Sequence, residues 1–72
     1  MKAQKLMSVL ARRPLEYRVD RQNGSHKWLK SPNGYNDLEF AFHDGQSIPP
    51  GLVRKVLVKD MGLSEEDAIE LL

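Results

Sequence analysis

The sequence predicts an α+β fold, α-β-β-β-α with a short C-terminal helix, in which a three-stranded antiparallel sheet has its helices packed on one face. Three observations lead there. Apolar residues recur at helical spacing near both ends of the chain, they alternate with polar residues through its middle, and Asn23-Gly24 marks a hairpin between the first two alternating runs.

Ala3, Leu6, Met7 and Leu10 fall at i, i+3, i+4 and i+7, the stripe of an amphipathic helix. Lys2, Lys5, Arg12 and Arg13 take its other faces and its last turn, where cations suit the helix dipole. Pro14 ends it, because the proline ring disfavours helical geometry at Arg13. Leu15, Tyr17 and Val19 then alternate with Glu16, Arg18 and Asp20, the period of a half-buried strand. A type I′ turn requires positive φ at both central residues, which Asn and Gly tolerate. With Asn23 and Gly24 in those places, Gln22 faces Ser25, Arg21 faces His26, and Val19 faces Trp28. Opposed residues share a face of the sheet, so Trp28 is expected on the core side with Tyr17 and Val19, and His26 with Arg21 at the end of that face. The core thus has first claim on Tyr17 and Trp28, ahead of any role in stacking on bases.

Ser31-Pro32-Asn33-Gly34 reads as the next loop, and Leu38, Phe40 and Phe42 alternate with Glu39 and Ala41 in a third strand. His43-Asp44-Gly45-Gln46 forms a loop, after which Pro49 or Pro50 suits the first turn of a second helix. Leu52, Val53, Val56, Leu57 and Met61 make its expected buried stripe. Gly62 is its left-handed stop, with Leu63 packing back on Val58. Ser64 with Asp67 resembles a capping box and opens a final short helix through Leu72. No repeat, linker or low-complexity segment interrupts the pattern, so residues 1–72 are expected to form one domain.

Composition narrows the function. A chain this short buries only roughly 60% of its unfolded surface, which leaves no depth for a large cofactor pocket. The absence of cysteine removes disulfides, thiolate metal sites and a cysteine nucleophile. Two histidines without clustered carboxylates make no zinc site, so neither metal nor cofactor is expected. Nothing approaches the ~18 apolar residues of a membrane span, and no signal-peptide pattern opens the chain. A cytoplasmic protein without membrane partners is the expectation.

The net charge of +1 conceals a polarised chain. Residues 1–36 hold eight basic and two acidic side chains, a net of +6, whereas residues 37–72 hold three and eight, a net of −5. A basic half suits a polyanion and speeds encounter with it. The same cations also serve as a solvated face, and it is their coincidence with His26 that points to nucleic acid.

His26 follows Arg21-Gln22-Asn23-Gly24-Ser25, beside a tight turn in a basic stretch. One imidazole moves protons near neutral pH, and cleaving an RNA phosphodiester asks for little beyond such a group and cations around the phosphate. Arg21 and Lys27 flank His26 across the hairpin and along the strand, where they are candidates for binding RNA phosphate. Ser25 is a third, through its hydroxyl or its backbone N–H. Each has an ordinary alternative as a solubilising or turn-closing residue. His43, the only other histidine, is a candidate for a secondary role as a second proton donor, or a loop residue at the strand end.

The Arg-Gln-x-Gly-Ser-His segment, with a helix before it and a later strand ending near His43, resembles the HicA-type toxins. These are the small mRNA-cleaving components of bacterial toxin–antitoxin pairs. The resemblance continues through Gly51-Leu52-Val53-Arg54-Lys55-Val56-Leu57 and Met61-Gly62-Leu63-Ser64, and so covers nearly the whole chain. It implies a fold like that of double-stranded-RNA-binding domains, and His26 as the catalytic position. It further implies mRNA as substrate and a HicB-type antitoxin as partner. Two positions depart from the family pattern: Ala41-Phe42 stands where proline often precedes the second histidine, and Leu52 where threonine often follows the glycine opening the second helix. The expected function is therefore a metal-independent endoribonuclease toxin acting through His26. The competing reading is a non-catalytic RNA-binding module of the same fold, with His26 as a contact. A third, an interaction domain whose acidic half binds a basic partner, leaves the basic half unexplained.

Overall fold

Helix α1 (Ala3–Ala11) forms where the first apolar stripe predicts it and buries Ala3, Leu6 and Leu10, but Val9 is the fourth buried residue and Met7 only partly buried. A computed structural model describes all residues, 1–72. The first backbone N–H groups of a helix lack intrahelical partners, and here a distant loop supplies them. Ala3 N–H donates to the Gln46 carbonyl at 2.9 Å and Gln4 N–H to that of Asp44 at 3.2 Å. Met1 and Ile48 exchange two further backbone bonds, so the segment after His43 is laced to the start of the chain.

The chain leaves α1 through a tight turn in which Glu16 N–H donates to the Arg12 carbonyl and Tyr17 N–H to that of Leu10. Glu16 takes a left-handed φ of 52°. That breaks the extended run, and β1 spans Arg18–Asn23 instead of starting at Leu15. Leu15 and Tyr17 are nevertheless buried as their apolar character requires, with the Tyr17 hydroxyl donating to the Asn36 carbonyl at 2.6 Å.

Strands β2 (His26–Lys30) and β3 (Leu38–Phe40) complete an antiparallel sheet ordered β1-β2-β3. Gly24 and Ser25 are the two turn residues, because Asn23 pairs with His26; the turn lies one residue later than Asn23-Gly24. Gly24 supplies the left-handed conformation, with φ of 63°. A second difference follows from Asp20. The register runs Asn23 opposite His26, Gln22 opposite Lys27 and Arg21 opposite Trp28, then passes to Val19 opposite Leu29. Asp20 is thus an extra residue, a β-bulge, and an extra residue reverses which face the rest of the strand presents. Arg21, His26 and Trp28 do share a face, but not the core face with Tyr17. Leu29 is the fully buried residue of β2, and Trp28 stands on the opposite, open side.

On the covered face Leu29, Leu38 and Phe40 pack against α1 and the second helix in one apolar cluster. That helix begins as α2 (Pro50–Arg54), with Pro50 in its first turn, and continues unbroken into a π-helical segment, Lys55–Asp60. The wider turn is visible in Met61 N–H donating to the Val56 carbonyl, five residues back. Val53, Val56, Leu57 and Met61 are buried as expected, but Leu52 projects outward and is 42% exposed. Gly62 takes the left-handed stop with φ of 81°. Ser64 then caps α3 (Glu65–Leu71), its hydroxyl accepting from Asp67 N–H at 3.1 Å. An Arg54–Glu65 ion pair ties α3 to α2. The result is a three-stranded antiparallel sheet with helices on one face and the other face bare.

Candidate functional site

The bare face gathers the chemistry. Side chains alternate along a strand, so His26, Trp28 and Lys30 of β2 point to this side, while Lys27 and Leu29 point to the helices. From β1, Asn23 stands opposite His26 and Arg21 opposite Trp28; from β3, Glu39 stands opposite Trp28. The His26 and Trp28 rings stack in parallel, with centroids 4.4 Å apart and planes inclined by 7°. The Arg21 guanidinium lies over the same Trp28 ring, 4.6 Å from its centroid, within the range of a cation–π contact. On the β3 side, His26 Nε2 lies 3.2 Å from Oε2 of Glu39. A carboxylate only accepts, so Nε2 carries a proton in this contact and Nδ1 is the nitrogen left over.

The imidazole is therefore oriented without being buried. Its side chain is 41% exposed, enough for a polymer lying across the sheet to reach it. Beside it, Arg21, Trp28, Lys30, Asp37 and Glu39 are among the residues lining a shallow hollow of about 520 Å³. That is within the ~300–1,000 Å³ range of small-ligand sites. Its walls carry both signs of charge. No three His, Asp or Glu side chains converge into a metal-binding group.

The other candidates lie around the hairpin tip. Ser25, Lys27 and His43 line a second hollow together with Gln22, Gly24, Phe42 and Asp44. The Lys27 ammonium sits 3.6 Å from Asp44 Oδ1, and its side chain is only 16% exposed. His43 belongs to a closed turn in which Gln46 N–H donates to the His43 carbonyl and the Gln46 side chain accepts from His43 N–H. The structure thus sets His26 and Arg21 each against Trp28, and brings His43 together with Ser25 and Lys27. His43 lines the second hollow, whereas His26 lines neither.

Trp28 and Glu39 are the site neighbours that sequence reasoning missed. Trp28 was expected in the core, and the bulge at Asp20 overturns this. Glu39 had a legible signal, as the polar member of the Leu38-Glu39-Phe40 alternation, but its diagonal reach to His26 depends on the pairing of β2 with β3.

Comparison with known proteins rests on one finding. Neither the curated proteins nor the solved structures give a match, whereas the family model described as the HicA toxin of bacterial toxin-antitoxin systems matches residues 3–63. That span runs from α1 through Leu63 and takes in the whole sheet, with the Gly-Ser-His turn. A match over most of the chain, on residues that build both the fold and the exposed histidine, shows that this protein belongs to the HicA family of bacterial toxin–antitoxin toxins.

Proposed function

We propose that this toxin, with residues 1–72 acting as one domain, is an endoribonuclease that cleaves mRNA without a metal or cofactor, and that His26 is its proton-transfer group. The single observation that carries this reading is the placement of the family-matched Gly-Ser-His histidine: open to solvent and stacked on Trp28, the ring that the Arg21 guanidinium also covers. In the reaction, the ribose 2′-oxygen bonds to the adjacent phosphorus as its proton passes to the imidazole. The bond from phosphorus to the 5′-oxygen breaks, and that oxygen takes up a proton. The products are a 2′,3′-cyclic phosphate and a 5′-hydroxyl. Arg21 meets the phosphate on the His26 side of the sheet and offsets charge on its oxygens as the bond breaks. Ser25 and Lys27 contact the strand where it passes the hairpin tip, with His43 in a secondary role beside them. The cognate partner is a HicB-type antitoxin, and the site of action is the cytoplasm, where message is found.

Analysis of the cut ends tests this chemistry. Cleavage is expected to persist in excess chelator, to yield 2′,3′-cyclic phosphate or 3′-phosphate ends, and to fail on RNA carrying 2′-deoxyribose at the scissile position. Ends with 5′-phosphate and 3′-hydroxyl, or full inhibition by chelator, would show that water or a metal does the work.

The stacked Trp28 and Arg21 also favour the second reading, an RNA-binding module without catalysis, because aromatic and guanidinium planes are platforms for unpaired bases. The two readings part at His26→Ala. An endoribonuclease loses cleavage and keeps RNA binding, whereas a binding module has no cleavage to lose.

A further inference from the structure

Two neighbours constrain the His26 ring in different ways. Trp28 sets its plane by parallel stacking, and Glu39 sets its rotation by engaging Nε2 at 3.2 Å. Both come from regular sheet positions, since Trp28 and Glu39 are directly opposed in the β2–β3 ladder. The charged group in contact with the ring is Glu39 from β3, while Arg21 from β1 lies over the Trp28 ring on which His26 stacks.

We propose that Glu39 is a positioning residue for His26. Its carboxylate accepts from Nε2–H and leaves Nδ1 facing the substrate. It also offsets the positive charge the ring acquires when Nδ1 takes a proton from the ribose 2′-hydroxyl. The proposal rests on His26 being the proton-transfer group described above. The sign of Glu39's charge makes the idea sharp. Its side chain is 68% exposed on a surface that receives RNA, where a carboxylate repels phosphate. A Glu39 without a role in the reaction is a pure obstacle, and removing it speeds the toxin or leaves it unchanged. A Glu39 that orients His26 makes binding and cleavage move in opposite directions.

The experiment measures both on the full chain. Binding is read with an RNA that carries 2′-deoxyribose at the scissile position, and cleavage by single-turnover kinetics on the all-ribose strand. Glu39→Ala is expected to bind as tightly as the wild type or a few-fold tighter, while its cleavage rate falls about tenfold. That is less than the roughly 10²–10⁴-fold supplied by a positioned acid–base group itself. Glu39→Gln, whose amide oxygen still accepts from Nε2–H, is expected to retain more of the rate than Glu39→Ala. Wild-type or faster cleavage by Glu39→Ala, beside an inactive His26→Ala, overturns the role of Glu39 and leaves that of His26 standing. Equal loss in the Ala and Gln variants overturns the hydrogen-bonding role. If His26→Ala itself cleaves at the wild-type rate, the reading of His26 fails first, and the role given to Glu39 fails with it.

Discussion

Replacing His26 by alanine separates the stability of this protein from its activity, and the structure sets the size of each effect. The variant loses a parallel stack on Trp28 and one exposed contact to Glu39. An aromatic pair contributes about 0.5–1.5 kcal/mol beyond its area, and the exposed hydrogen bond from the neutral ring to Glu39 contributes no more than an exposed ion pair, about 0.2–1 kcal/mol. With the ring 41% exposed, no cavity opens in the core, and the total cost stays near 1–2 kcal/mol. A domain of 72 residues typically has about 4–11 kcal/mol to lose, so the variant remains folded. Its melting temperature falls by roughly 4–8 °C for each kcal/mol. On the proposed role of His26, activity responds on another scale, since a general base contributes about 10²–10⁴ in rate, or roughly 3–5.5 kcal/mol of barrier. The assay pairs thermal unfolding of the purified variant with its expression in bacteria lacking the antitoxin. The expected outcome is a small shift in melting, no growth arrest and no loss of message. Growth arrest and message decay at the wild-type rate in a folded variant would refute the reasoning.

Other expectations follow from the same geometry. If RNA binding neutralises about three to five phosphates, log K falls with log[salt] at a slope near −0.7 per contact, in total roughly −2 to −3.5. Arg21→Glu should flatten that slope, while Lys59→Glu in the π-helical segment should leave it nearly unchanged; equal sensitivity at the two positions would move the RNA surface off the sheet. Leu29→Ala should cost about 2–5 kcal/mol, as for a fully buried leucine, whereas Val19→Ala on the 45%-exposed edge should cost far less, and denaturant unfolding reads both. A severe Val19 effect beside a mild Leu29 effect would contradict the bulged register. The Tyr17 hydroxyl is pushed up to about 12, first by burial and then by the negative charges of Asp37 and ionised Tyr35. A raised value means that the folded state favours the neutral phenol, so this contribution is complete below pH 10 and is lost as pH rises toward 12. Alkaline unfolding should therefore be steeper in the wild type than in Tyr17→Phe across that window, and identical profiles would exclude Tyr17 as the group responsible.

The order of elements was legible because each rests on local chemistry. The α1 helix, the proline opening α2, the left-handed Gly62 and the Ser64 cap act within one or two turns of chain, and all appear where the sequence places them. Leu52 shows the limit of that reading. Periodicity admits it to the buried stripe, but how a helix is rotated on the sheet is set by packing, and Leu52 falls just outside the contact.

His26 was likewise visible as an isolated imidazole beside a glycine turn, with Arg21 on its face of the hairpin. The surface those residues stand on was not. A hairpin has only two faces, so a single extra residue, Asp20, exchanges them for everything beyond it, and bulges leave no mark in an alternating pattern. Aromatic content then misleads: a lone tryptophan in a small chain suits the core, yet Leu29 occupies that place and Trp28 becomes the floor under His26. Glu39 and His43 are decided still further from local sequence, by the pairing of β2 with β3 and by the docking of the His43 loop on α1. By itself the sequence determined the kinds of elements, their order and the presence of an imidazole beside a glycine turn among cations, because these depend on neighbours along the chain. Only the tertiary structure decided which side of the sheet carries that group and what holds it there, because register and face are set by the contacts of the whole sheet with its helices.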